Sequence, residues 1–107
     1  MSGHDYRVQP PMPGGVQIDL ARQFGKQPLA RWHHPGDHPA FEGYLTLGRL
    51  DDGRWYVDSS VTEAVGGWAF LHEDKAKVAV GLIKAIRPDD LWHELAPRAY
   101  DPSSDRR

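Results

Sequence analysis

Tyr44 to Asp58 constrains the fold more than any other stretch. Tyr44-Leu45-Thr46-Leu47-Gly48-Arg49-Leu50 and Arg54-Trp55-Tyr56-Val57-Asp58 flank Asp51-Asp52-Gly53, a turn ending in glycine. Two alternating segments around such a turn read as a β-hairpin. The loop length sets the register. A two-residue Asp52-Gly53 loop would place Leu45 and Leu47 on the face away from Trp55 and Val57. A three-residue loop moves the pairing by one residue and puts all four on one face. Strand side chains have period two, so only the second register builds an apolar face. Asp51 and Asp52 then form a type I turn, with Gly53 in the left-handed position. The opposite face carries Tyr44, Thr46, Gly48, Arg54, Tyr56 and Asp58.

The remaining elements follow from periodicity. Residues 1–15, with Pro10, Pro11, Pro13, Gly14 and Gly15, read as a flexible leader. Val16 to Trp32 is ambiguous. Val16, Ile18 and Leu20 alternate, whereas Leu20, Ala21 and Phe24 share a helical face, so a strand or short helix ending at Gly25 is expected. Pro28 bars one continuous element reaching Trp32. Arg31 to Pro39 reads as a turn-rich loop. Trp68 to Leu71 reads as a short third strand, with Trp68 and Phe70 on one face. Glu73 to Arg87 has helical spacing, a broad apolar face and charges arranged as the helix dipole favours. Val78, Val80 and Leu82 also alternate, which leaves a strand as the alternative there. Pro88 to Leu95 suits a second, short helix with an apolar stripe of Leu91, Trp92 and Leu95. The predicted class is α+β. A small antiparallel sheet of three or four strands carries a C-terminal helix on one face, followed by the short final helix. The predicted domain spans residues 16–97, with a polar tail over 98–107.

Length and composition narrow the function. A chain of 107 residues makes one domain and buries roughly two-thirds of its unfolded surface. With 0 cysteines, disulfides, thiolate metal sites and a cysteine nucleophile are excluded. Residues 1–50 carry five Lys/Arg against four Asp/Glu, and the rest carry eight against eleven. The electrostatic footprint of a duplex-DNA binder is therefore missing. No apolar run approaches the roughly 20 residues that span a bilayer. Without a basic start or an apolar h-region, a cytoplasmic location is expected.

Three constellations are candidates for function. His33, His34, Asp37 and His38 offer nitrogen and oxygen donors suited to zinc, nickel or copper, provided that the loop chelates. No cofactor is otherwise implied. Tyr44, Tyr56, Arg49 and Arg54 interleave aromatics with arginine on or around the hairpin, the residue types that stack bases and hold phosphates. Asp52 to Val57, followed by a short strand and a helix, is similar to the DNA-binding domains of phage-type integrases, built from a three-stranded sheet and a helix. That resemblance implies nucleic-acid binding through the sheet. The chain departs from it in the acids Asp51, Asp52, Asp58, Glu63, Glu73 and Asp74. Gly66-Gly67-Trp68 marks a bend without the spacing of a phosphate-binding loop. Trp32, Trp55, Trp68 and Trp92 serve as core anchors, or as interface hot spots where exposed.

No nucleophile–base pattern or paired-carboxylate pattern is present, so an enzyme is not expected. The expected function is a non-catalytic protein-interaction or regulatory module using Tyr44, Arg54, Tyr56 and Trp68. A nucleic-acid module on the tyrosine face and a metal-binding loop are the alternatives.

Overall fold

A computed structural model describes residues 12–23, 25–36, 38 and 41–96. Residues 1–11 of the leader predicted over 1–15, Phe24, the candidate ligand Asp37 and the tail from residue 98 lie outside the described residues.

The elements in chain order are β1 (Gly15–Ile18), β2 (Gln27–His34), β3 (Gly43–Arg49), β4 (Trp55–Ser59), β5 (Gly66–Phe70), α1 (Glu73–Lys84) and β6 (His93–Leu95). Short 3₁₀ turns occupy Leu20–Arg22 and Thr62–Ala64. The fold is α+β, with an antiparallel sheet of 6 strands in the order β1-β5-β4-β3-β2-β6. The sheet is therefore larger than the three or four strands predicted.

The hairpin takes the register that the apolar pattern demands. Leu47 pairs with Val57 and Arg49 with Trp55. The Leu50 N–H donates to the Arg54 carbonyl at 2.8 Å, which closes a three-residue loop, and Gly53 has φ 91°. Leu45, Leu47, Val57, Trp68 and Phe70 form the core with Ala76, Ala79, Val80 and Ile83 of α1. Those four helical positions recur at the spacing of one buried stripe. The buried face is narrower than predicted, because Val78 and Leu82 face solvent. α1 stops before Pro88. The Trp92 Nε1–H donates to the Arg87 carbonyl at 3.0 Å and the Lys84 carbonyl at 3.3 Å, satisfying acceptors at the helix end.

Three other expectations are corrected. The described residues between 16 and 32 hold strand β1, the turn at Leu20–Arg22 and strand β2. Pro28 sits within β2, beside a register shift between Pro28 and Ala30 that interrupts the ladder. A bulge tolerates the missing N–H, so the element runs on through Trp32. Arg31 to His34, read as loop, forms the end of β2. The final short helix is instead β6, because Arg31, Trp32 and His33 offer a free strand edge that pairs with Leu95, Glu94 and His93.

Residues 19–23 and 25–26 cross the sheet on the face opposite α1, from beside β5 to beside β3. Leu20 packs there with Leu50, Tyr56, Ala69 and Ile18 in a second, smaller cluster. The Lys26 Nζ donates to the Leu20 carbonyl at 2.8 Å. This strap covers part of the face that the hairpin alone would leave open.

Candidate functional site

The end of β2 positions the polar groups. Adjacent strand residues point to opposite faces. His33 lies on the face opposite α1, opposite Tyr44 of β3 and His93 of β6. The three rings form a row across three strands. His33 and Tyr44 have centroids 4.7 Å apart, and His33 stacks on His93 at 6.4 Å. The His33 Nε2 lies 2.6 Å from the Glu42 Oε2, and the Tyr44 hydroxyl donates to the same oxygen at 3.5 Å. Tyr44 is 45% exposed.

His34 takes the α1 side and is only 2% exposed. Its Nδ1 accepts the Gly36 N–H at 2.9 Å, so the proton resides on Nε2, which donates to the Asp89 Oδ1 at 2.9 Å. The Trp92 ring meets the imidazole edge-on at 5.1 Å. Asp89 also accepts the Leu91 N–H at 3.0 Å. That N–H and then His34 hold the Asp89 carboxyl below the usual carboxylate range. An Asp–His pair has the residue types of an acid–base dyad. Here both imidazole nitrogens are committed and the ring is sealed, so no nitrogen is left to take a proton from a substrate. The pair pins the segment after α1 to the end of β2.

An open cleft of about 270 Å³ lies beside this pin, lined by His34, Gly36, Phe41, Glu63, Arg87 and Asp89. The Arg87 Nη2 pairs with the Glu63 Oε1 at 2.9 Å, which holds the Glu63 carboxyl below the usual range.

The other sequence candidates are dispersed. Tyr56 is 3% exposed, beneath the strap. Burial, and next the Asp58 charge, push its phenol up to about 12, with Arg31 opposing. Loss of solvent around the Asp58 carboxyl raises it above the usual range, with Lys26 opposing, although residue 58 as a whole is exposed. Arg54 is folded back on its own turn, with its Nε and Nη2 each 2.9 Å from the Asp52 Oδ2. Trp68 lies in the core under α1, 4% exposed. Of the four proposed contact residues, Tyr44 alone presents an exposed ring.

The two metal candidates on β2 separate. His33 and His34 occupy opposite faces of β2, because strand geometry replaced the chelating loop that the cluster required. Among the described residues, no group of three or more His, Cys, Asp or Glu is placed to hold a metal ion.

His93, Glu42 and the cleft lining other than His34 escaped the sequence. The available signal was the alternation of Ala30, Trp32 and His34 against Arg31 and His33, hidden by the turn residues Pro35 and Gly36. No protein-family model, curated protein or solved structure matches the chain.

Proposed function

We propose that this protein is a small non-catalytic interaction module that engages a protein partner through the row Tyr44, His33 and His93. The observation that carries this reading is the row itself: three rings on adjacent strands, on the face that α1 does not cover. Rigid aromatic side chains supply contact area with little loss of conformational freedom, and aromatics are enriched at interface cores. Glu42 and the imidazoles add hydrogen-bonding groups beside the rings.

Nucleic-acid stacking is less well supported. Tyr56 is covered, Arg54 is neutralised by Asp52, and the row itself carries Glu42.

Affinity capture with the wild-type chain, Tyr44→Ala, His93→Ala and the control Leu82→Ala tests the reading. A protein retained by wild type and Leu82→Ala, but lost with both row variants, is the expected result. Identical capture by all four baits refutes it. All three substitutions lie at exposed positions and leave stability within about 0.5 kcal/mol.

A further inference from the structure

We infer that the cleft between the β2–β3 connection and the segment after α1 binds an organic cation, an alkylammonium or guanidinium group. This goes beyond the proposed interaction row, which lies on the other face of the sheet.

The hydrogen-bonding inventory points this way. The neutral donors on the wall are committed, and Arg87 has given two of its five N–H groups. His34 gives its one N–H to Asp89, and its other nitrogen accepts from Gly36. Arg87 gives Nη2 to Glu63, and its Nη1 lies 3.5 Å from the Ile86 carbonyl. An entering anion would meet only the remaining N–H groups of Arg87, beside the Glu63 carboxylate that already offsets its charge.

Acceptors remain. An ionised carboxylate has two oxygens and about four lone-pair sites. Both hydrogen bonds to Asp89 fall on Oδ1, and the Arg87 ion pair falls on the Oε1 of Glu63. Two carboxylates face one guanidinium and a neutral imidazole, so the lining carries a net negative charge. Both carboxyls are held below the usual range, so both stay ionised around neutral pH.

Geometry agrees with charge. The Glu63 and Asp89 side chains are 54% and 47% exposed, so each remains reachable. Each is nonetheless fixed, Glu63 by Arg87 and Asp89 by His34 and the Leu91 N–H. Preorganised acceptors lose little freedom on binding. Phe41, half-exposed at the rim, supplies an aromatic face of the kind that attracts cations. At about 270 Å³ the cleft falls just below the roughly 300–1,000 Å³ of pockets for whole small molecules. It suits one extended cationic chain.

Amide chemical-shift titration of the full chain tests this with three probes: N-acetyl-lysine methylamide, putrescine, and the same lysine derivative acetylated at Nζ. The two cations are expected to give saturating shifts at Gly36, Phe41 and Leu91, with Kd on the order of 1 mM. The neutral probe is expected to give none. Tighter binding of the lysine derivative assigns the site to a polypeptide side chain, and tighter binding of putrescine assigns it to a free polyamine. Glu63→Gln and Asp89→Asn keep an acceptor for Arg87 and His34 while removing charge, and each is expected to weaken binding roughly tenfold. The inference is overturned if neither cation saturates by about ten times that concentration, if the neutral probe binds equally, or if the charge-removed variants bind as wild type. Should either variant fail to fold, the neutral probe against wild type still decides.

Discussion

The strap over the second face gives the sharpest test of the fold. Leu20 is buried among Ile18, Leu50, Tyr56 and Ala69. A Cβ added at Gly67 would lie 2.5 Å from the Leu20 Cδ1 and 2.8 Å from its Cγ. Gly67 is therefore the floor on which Leu20 rests. Leu20→Ala removes the clamp, and buried Leu→Ala changes cost about 2–5 kcal/mol. A residue in a surface strap, whose surroundings can collapse, belongs at the lower end, about 2–3 kcal/mol. For a domain of this size that lowers Tm by roughly 10 °C or more. Gly67→Ala alone forces the strap upward and costs about 1–3 kcal/mol.

In the double variant the obstruction is gone, and the nearest remaining neighbour of the new methyl is the Ile18 carbonyl oxygen at 3.4 Å. Alanine is also favoured over glycine within a strand by about 0.5–1 kcal/mol. The double variant should therefore be no less stable than Leu20→Ala, with a coupling of about 1–3 kcal/mol. Urea unfolding followed by tryptophan fluorescence measures the cycle. Spectrophotometric titration gives a second readout, because uncovering Tyr56 lowers its phenol from about 12 toward the ordinary 10.0. Additivity within about 0.5 kcal/mol, together with an unmoved phenol titration, would refute the clamp.

Three further outcomes follow from single sites. Gly53→Ala places a side chain at φ 91° with no neighbour nearer than the Arg49 Nη2 at 3.9 Å. The loss, about 1–2 kcal/mol by urea unfolding, is then backbone strain, and Gly53→Asn should lose less. Folding raises the Asp58 carboxyl, so it binds its proton more tightly folded than unfolded. Wild-type stability therefore falls as pH rises through about 3.9 and the raised folded value. Asp58→Asn should be more stable at pH 7, an advantage that disappears below about pH 4 in thermal scans. Trp92→Phe removes the donor to the Arg87 and Lys84 carbonyls. A loss of about 0.5–1.5 kcal/mol should appear, with faster amide exchange confined to the last turn of α1.

What was legible in the sequence depended on local signals. Turn chemistry and period two together fix the hairpin register, and Ala76, Ala79, Val80 and Ile83 fix the buried side of α1. β2 was illegible because Pro28 reads as a breaker until a bulge accommodates it. β6 was illegible because Leu91, Trp92 and Leu95 fit a helical stripe, and only the free edge of β2 turns residues 93–95 into a strand. The burial of Tyr56 has no local signature at all. It comes from a strap whose path is set by pairing β1 with β5 and β2 with β3. The contact surface assigned to Tyr56 and Trp68 fails for the same reason, because their cover is contributed by distant residues.

The adjacent histidines show how backbone conformation changes the chemistry of a fixed set of residues. In a loop, His33 and His34 are neighbours able to share a ligand. In a strand, they serve opposite faces. Register at this end is therefore what separates the aromatic row from the cleft, and Gly36 enforces it. Its φ of 71° lies where only glycine is at ease, and a Cβ there would sit 2.7 Å from the Phe41 carbonyl carbon and oxygen. Its N–H fixes the His34 tautomer, and its backbone seats the residue at the cleft rim. A side chain at position 36 would push that residue away from the Phe41 carbonyl and loosen the N–H donor that holds His34. It would then disturb both faces, whereas Tyr44→Ala and Asp89→Asn each disturb one. The two surfaces are thus separable by side-chain substitution and coupled through the backbone of a single glycine.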